Sequence, residues 1–387
     1  MSGQRHYGDH QLKIYQAGLK GQRPRLPMGM EELEATARAL LPSESYWYVA
    51  GGAGEITMDA NRRAFDKYRI LPRMLTDVSQ RDLSVELFGH SYPSPLLLSP
   101  IGVQGIIRPE AEVAVAKAAA SMNVPMILST VSSHSMDDVA AAMGDAPRWF
   151  QLYWPKSDSL ATSFVQRAEA LGYQAIVVTL DTKMMAWRER DLSTAYLPFL
   201  RGMGLSNYIS DPTFRDALDV PPEEDMWPAV QRWSHEFAAP FRTWKDLAKL
   251  KSATKLPILL KGILHPDDAR LALEHGADGI IVSNHGGRQV DGSIASIDAL
   301  PLITDAVQDR VPVLFDSGIR SGADVVKARA LGADAVLLGR PYIWGLAVAG
   351  EDGVREVIAR VLADTDLTMA LAGAARFKEV NRGLLAD

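Results

Sequence analysis

From Pro95 onward the chain repeats one pattern, a short run that is apolar throughout followed by a longer segment with helical spacing. Eight such runs occur, at 96–98, 126–128, 149–152, 175–178, 258–260, 279–282, 311–315 and 335–338. Between them lie amphipathic segments such as Glu110–Met122, Ser157–Leu171, Pro266–His275, Ala323–Leu331 and Gly353–Leu362. Strands that are apolar on both faces and alternate with helices imply a parallel sheet covered by helices. Eight units predict a closed (β/α)8 TIM barrel of the α/β class over residues 95–387. A doubly wound open sheet is the competing fold, but its Gly-x-Gly-x-x-Gly turn is missing from the strand ends.

Residues 1–94 precede this rhythm as a capping extension. Residues 1–27 read as an arm interrupted by Pro24 and Pro27. The spacing of Leu33, Ala37, Leu40 and Leu41 predicts a helix from Met30 that stops before Pro42. The aromatic cluster Tyr46-Trp47-Tyr48 runs into a Gly-rich break at Gly51–Gly54, and a hairpin-like stretch lies near 83–92. One connection departs from the repeat. Between Asp181 and Pro257 the chain inserts far more than the few residues plus one helix that a βα connection uses. An insertion here is either a lid or an oligomer contact, and a lid over about 189–245 is expected, flexible between Ser193 and Val220.

Composition narrows the classes. Of 387 residues 47% are hydrophobic, enough for a large core, and 41 Lys plus Arg against 47 Asp plus Glu leave a net charge of −6 with no basic block. That argues against a nucleic-acid partner. Cysteine is absent, which excludes disulfides, thiol nucleophiles and Cys-based zinc sites; no metal is expected. No run approaches the ~18 apolar residues of a spanning helix and no secretory signal is visible, so a cytoplasmic protein without a membrane partner is expected.

In a barrel of this kind the residues just after each apolar run converge on one mouth. They are Ser99 to Gly102 with Pro100 and Ile101, Ser129 and Thr130, Gln151 and Tyr153, Thr179 and Asp181, Lys261, Ser283 with His285 and Arg288, Asp316 to Arg320, and Gly339 with Arg340. Gly318, Arg320, Gly339 and Arg340 fall at the two loops where such barrels commonly hold a phosphate, which predicts a phosphorylated ligand or cofactor. His285 and Arg288, separated by two glycines, deliver a base and a cation to one spot.

Ser283-Asn284-His285-Gly286-Gly287-Arg288-Gln289 resembles the signature of the FMN-dependent α-hydroxy-acid oxidising family. The resemblance runs from Tyr46 to about Glu379 and takes in Gln151-Leu152-Tyr153, Thr179-Leu180-Asp181-Thr182, Leu260-Lys261-Gly262 and Gly339-Arg340-Pro341. It implies FMN as cofactor, a small 2-hydroxy acid and molecular oxygen as partners, and a homo-oligomer, tetramer or octamer, in which residues 1–27 and 374–387 are candidate contacts. By the same resemblance His285 is the base that takes the hydroxyl proton as hydride moves to flavin N5, and Asp181 pairs with it. Arg188 and Arg288 hold the substrate carboxylate, and Tyr48 and Tyr153 hydrogen-bond the substrate. Lys261 stabilises the negative charge of reduced flavin. Pro100, Ile101, Gly102, Ser129, Gln151, Thr179 and Ser283 meet the isoalloxazine or ribityl groups, while Asp316, Gly318, Arg320, Gly339 and Arg340 hold ribityl and phosphate.

Gly102 bears on the branch of the family. Most oxidases carry alanine at the matching place beside flavin N5, whereas lactate 2-monooxygenases have glycine, and Arg201–Tyr208 also resembles their insertion. The expected outcome is L-lactate plus oxygen to acetate, carbon dioxide and water, with pyruvate retained; the alternative is an oxidase releasing keto acid and hydrogen peroxide. A glycine serving only the turn after Pro100 is the plainer explanation. Two departures from the family pattern lie near the mouth: Lys183 replaces a frequent proline, and Val131 stands where glycolate oxidase has tryptophan. A quinone-linked membrane relative is disfavoured, since the insertion lacks an apolar or basic amphipathic segment. On fold alone a non-redox isomerase or aldolase, or a flavin-binding protein without turnover, remains open.

Overall fold

A computed structural model describes residues 6–386. Its centre is a closed barrel of eight parallel strands, β3 (Leu96–Leu98), β4 (Met126–Ser129), β5 (Arg148–Tyr153), β6 (Ile176–Thr179), β7 (Ile258–Ile263), β8 (Gly279–Val282), β9 (Val313–Phe315) and β10 (Ala335–Leu338). They pair in chain order, and β10 closes onto β3. A short antiparallel hairpin, β1 (Val85–Leu87) with β2 (His90–Tyr92), precedes them.

The period-two alternation of a strand sorts each apolar run into two layers. Leu97, Ile127, Trp149, Val177, Leu259, Ile281, Leu314 and Leu337 form one core cluster inside the barrel. Leu87 and Tyr92 of the hairpin join that cluster, and the Tyr92 hydroxyl accepts from the Trp149 indole at 3.3 Å, so the hairpin plugs one end. The alternate positions, such as Leu98, Leu128, Phe150, Val178, Leu260 and Val282, belong to the second cluster, which the helices cover. Two residues beyond each inward apolar residue the chain places Ser99, Ser129, Gln151, Thr179, Lys261, Ser283, Asp316 and Gly339. The same alternation that fills the barrel therefore lines its other end with polar groups.

The helix predicted from Met30 is found at Met30–Leu40, and the aromatic cluster lies on a helix, Ser43–Ala50. Helices at Ala111–Ser121, Asp158–Ala170, Pro266–Glu274 and Gly322–Ala330 match the predicted segments. Gly353–Leu362 proves to be part of a longer helical stretch, Arg340–Leu371, broken at Ala349 and Gly350. The arm expected at 1–27 contains a helix, Asp9–Gly18; residues 1–5 lie outside the described residues. None of its side chains is buried, so it carried no apolar periodicity to read. It is fixed from its start, where Gly8 N–H donates to Asp366 at 2.8 Å.

The insertion is packed against the rest of the chain. Its middle, expected to be flexible, buries Tyr196, Phe199, Leu205, Tyr208 and Phe214. Asn207 is fully buried; its amide donates to the carbonyls of Ser129 and Thr130 and to Ser132 Oγ, and its oxygen accepts from Met136 N–H. The segment is packed against the barrel mouth because its aromatic side chains and this one amide have partners there. Among the described residues no helix is long and apolar enough to cross a membrane.

Candidate active site

A cleft opens at the polar end of the barrel. Tyr48, Pro100, Ile101, Gly102, Tyr153, Arg188, Lys261, His285, Arg288, Asp316, Gly318, Arg320, Gly339 and Arg340 all line it. Ser129, Gln151, Thr179 and Ser283 lie just beneath as a hydrogen-bonded floor. Ser129 Oγ donates to Gln151 Oε1 at 3.0 Å, Gln151 Nε2 to Thr179 Oγ1 at 2.9 Å, and Lys261 Nζ to Ser283 Oγ at 2.8 Å while standing 3.1 Å from Asp316. Every residue expected at the site is brought to this end of the barrel.

His285 follows β8 in a left-handed turn, with φ of 60° at His285 itself, 65° at Gly286 and 78° at Gly287. A side-chain-bearing residue at such a φ is strained and is held only by its surroundings. The holding contacts are visible: His285 N–H donates to Ser283 Oγ, and Ala53 N–H donates to the Gly287 carbonyl. A Cβ on Gly287 would lie 2.6 Å from Met58 N, so only glycine lets the N-terminal extension approach this turn.

His285 Nδ1 lies 2.8 Å from Asp181 Oδ1, which also accepts from Thr182 Oγ1 at 3.0 Å. A carboxylate at Nδ1 fixes the proton there and leaves Nε2 as the free base. Burial pushes the imidazole below its ordinary value, and the positive charges of Lys261 and Arg188 add to this against the pull of Asp181. Burial alone would raise the Asp181 carboxyl, but His285 and Lys261 beside it hold it below the usual carboxylate range. At neutral pH the pair is thus a carboxylate beside a neutral imidazole. Asp181 Oδ2 is buried without a hydrogen-bond partner.

Two guanidiniums face this base. Arg188 donates to the Arg288 carbonyl and to Gln289 Oε1, and Gln289 donates in turn to the Asp181 carbonyl at 2.7 Å. Arg288 donates to the Gly51 carbonyl at 2.7 Å and lies over the Tyr48 ring. Burial, then repulsion from Arg188, lowers Arg288 to about 10. Burial raises the Tyr48 and Tyr153 phenols to about 12, so both are neutral donors. Two adjacent cations, two phenols and one free imidazole nitrogen form a receptor for a carboxylate with a neighbouring hydroxyl.

At the other end of the cleft Arg320 and Arg340 are half-buried, and their side chains hydrogen-bond only to carbonyls: Arg320 to Ile319, Arg340 to Val49, Gly51 and Gly286. Burial lowers them to about 10 and about 9, with repulsion from Arg62 in the first case and Arg288 in the second. Two half-buried cations with no carboxylate bonded to their side chains fit a phosphate dianion, and so fit the phosphate end of FMN.

Some contributors were not singled out from the sequence. Gln289 stood in the signature without a role, yet it ties Arg188 to the Asp181 backbone. Asp191, 3.8 Å from Arg188 and raised by burial against the pull of Arg288 and Arg188, is a carboxylate facing the two cations. Only the position of each relative to another chain segment reveals it.

Gly102 has a definite environment. A Cβ there would lie 2.5 Å from the Val131 carbonyl oxygen and 2.6 Å from Val131 Cγ2, and that carbonyl accepts from Val103 N–H at 2.7 Å. The space an alanine methyl would take is occupied by the loop after β4. The missing methyl therefore does not leave a void but lets two strand-end loops close on each other.

A family model described as FMN-dependent dehydrogenase matches residues 37–387. The chain is 46% identical over 348 residues to an L-lactate oxidase of Lysinibacillus sphaericus, covering 90% of this chain and 89% of that protein. It is 46% identical over 381 residues to an FMN-dependent alpha-hydroxy acid dehydrogenase of Penicillium citrinum, covering 97% and 95%. Among solved structures, mandelate oxidase with (S)-4-hydroxymandelic acid superposes with a TM-score of 0.83 at 38% identity, covering 93% of this chain and 98% of that one.

Proposed function

Because the chain belongs to the FMN-dependent dehydrogenase family of α-hydroxy-acid oxidising enzymes, we propose that it oxidises a small L-2-hydroxy acid, lactate or a somewhat larger one, with molecular oxygen as acceptor. Family membership sets aside the non-redox isomerase and aldolase alternatives. FMN supplies the two-electron acceptor that the amino acids themselves lack.

The chain's own residues bind, orient and move the proton. Arg188 and Arg288 receive the carboxylate, and the Tyr48 and Tyr153 phenols direct the hydroxyl end. His285 Nε2 takes the hydroxyl proton, and Asp181 stabilises the imidazolium that results. Lys261, on the floor beside Ser283 and Asp316, would stabilise negative charge on the reduced cofactor; Arg320 and Arg340 would hold its phosphate, with Gly339 leaving room beside the backbone and Gly318 letting its loop turn closely against Asn61. The observation that carries the reading is the His285–Asp181 pair facing the Arg188 and Arg288 guanidiniums across one cleft.

For the fate of the product we favour the lactate 2-monooxygenase outcome. The close contact of Gly102 with Val131 and the packed insertion support retention of pyruvate, so that peroxide formed beside it converts it to acetate, carbon dioxide and water. The names of the lactate oxidase relatives favour the second reading, release of pyruvate and peroxide. Product analysis with L-lactate in air decides. Acetate matching the oxygen consumed, without free peroxide, is expected, and Gly102→Ala is expected to raise the peroxide fraction by parting the two loops. Equal pyruvate and peroxide from the unmodified protein would make it an oxidase.

The family resemblance further supports a homo-oligomer. The candidate contacts at 1–27 and 374–387 are, where described, tied to their own chain: Leu71 N–H donates to the Leu384 carbonyl, and Phe377 is buried.

A further inference from the structure

The polar part of the cleft accounts for the carboxylate and hydroxyl of a 2-hydroxy acid and leaves its side chain facing a different wall. That wall consists of Val131, Met185, Leu197, Phe199 and Phe237. Val131 rises from the loop after β4, and the other four come from the chain between β6 and β7. None carries a nitrogen or oxygen in its side chain.

The insertion builds this wall as an aromatic arch. Tyr48 meets Phe199 edge-on with ring centroids 6.2 Å apart; Phe199 and Trp233 lie 4.9 Å apart, Trp233 and Phe237 5.2 Å, and Phe237 meets Tyr153 edge-on at 5.5 Å. The arch thus starts and ends on the two tyrosines assigned to the substrate. Its rings support one another at separations that favour aromatic pairs, so it is a formed surface and not a collapsed one. At the rim Met185 is 59% exposed, and an unbranched thioether adapts to groups of different shape.

Resting on the 2-hydroxy-acid reading above, we propose that the preferred substrate has an apolar side chain larger than a methyl group, branched or aromatic, seated against Val131, Phe199 and Phe237. Val131 and Phe199 are already buried, so the surface left to cover is mainly that of Met185, Leu197 and Phe237; lactate's methyl can cover only part of it, whereas a longer side chain removes more of it from water. A side chain with a carboxylate or hydroxyl would lose its hydration without gaining a partner on this wall. The insertion thereby selects the substrate as well as roofing the site.

The test is flavin bleaching in the purified holoenzyme without oxygen, using glycolate, L-lactate, L-2-hydroxy-4-methylpentanoate, L-3-phenyllactate and L-malate. The rate constant per substrate concentration is expected to rise at least about tenfold from lactate to the six-carbon acid, at roughly threefold or more per buried methylene. Malate is expected to fall below lactate. Val131→Trp, which fills the wall, should lower the ratio of phenyllactate to lactate at least tenfold, about the discrimination of one or two methylenes. Val131→Ile should move the ratio the same way by less, and it serves if the larger substitution does not fold. Glycolate or lactate reacting fastest, or a ratio unchanged in both variants, overturns the inference and leaves the oxidation of 2-hydroxy acids standing. Failure of every acid to bleach the flavin overturns both.

Discussion

His285 combines a left-handed backbone, a carboxylate on one ring nitrogen and burial that lowers its affinity for a proton. These properties depend on one another. The strained turn aims the ring, Asp181 fixes the tautomer, and burial beside Lys261 and Arg188 keeps Nε2 unprotonated until a substrate offers it a proton. In the proposed reaction the neutral imidazole is the active form, so flavin reduction is expected to fall as pH drops through the pKa of His285. That limb is expected below pH ~6.5, the ordinary imidazole value. Asp181→Asn removes the group that pulls this pKa upward, so its limb should move lower still, with a rate loss of roughly 10²- to 10⁴-fold. Reduction rates measured across pH 5–9 check both, and a limb well above 7 in the unmodified protein would contradict the assignment.

Each strand contributes an inward apolar residue and, two positions on, a residue at the mouth that is polar in every strand but β10, where it is Gly339, so one alternation serves both packing and the floor of the site. The insertion works differently. Its short helices are held by scattered aromatic contacts and by Asn207, whose four hydrogen bonds reach the loops after β4. Asn207→Ala leaves several buried backbone groups unpaired, and a loss of about 2–4 kcal/mol is expected at ~1–3 kcal/mol per unsatisfied group with partial relaxation. Urea unfolding of the holoenzyme measures this. The same variant should release more keto acid, because Asn207 anchors the roof over the strand-end loops; a variant as stable as the parent would show that the amide is incidental.

The described residues form a barrel with a polar mouth, a hairpin plug, and N- and C-terminal segments packed onto it. Leu71, Met74, Leu75 and Leu371 are exposed, and the Arg73–Ala372 hydrogen bond brings the two segments carrying them together. A tetramer or octamer would cover such a patch. Leu75→Glu is expected to shift light-scattering mass toward smaller species, and a monomeric parent protein would contradict the oligomer. The sequence by itself determined the eight-fold repeat, the converging strand ends and the placing of Arg320 and Arg340 at the barrel mouth, because strand and helix periodicity and strand-end polarity are local properties. The His-Gly-Gly-Arg turn was legible for the same reason. The helix at Asp9–Gly18 was not, since it buries no side chain and owes its place to Asp366 across the fold. Only the tertiary structure decided that the insertion is packed, that Gln289 and Asp191 attend the two arginines, and that Val131 occupies the space beside Gly102. In each case the deciding contact joins residues distant in the chain, and no local pattern specifies which neighbour a folded barrel will bring to a given side chain.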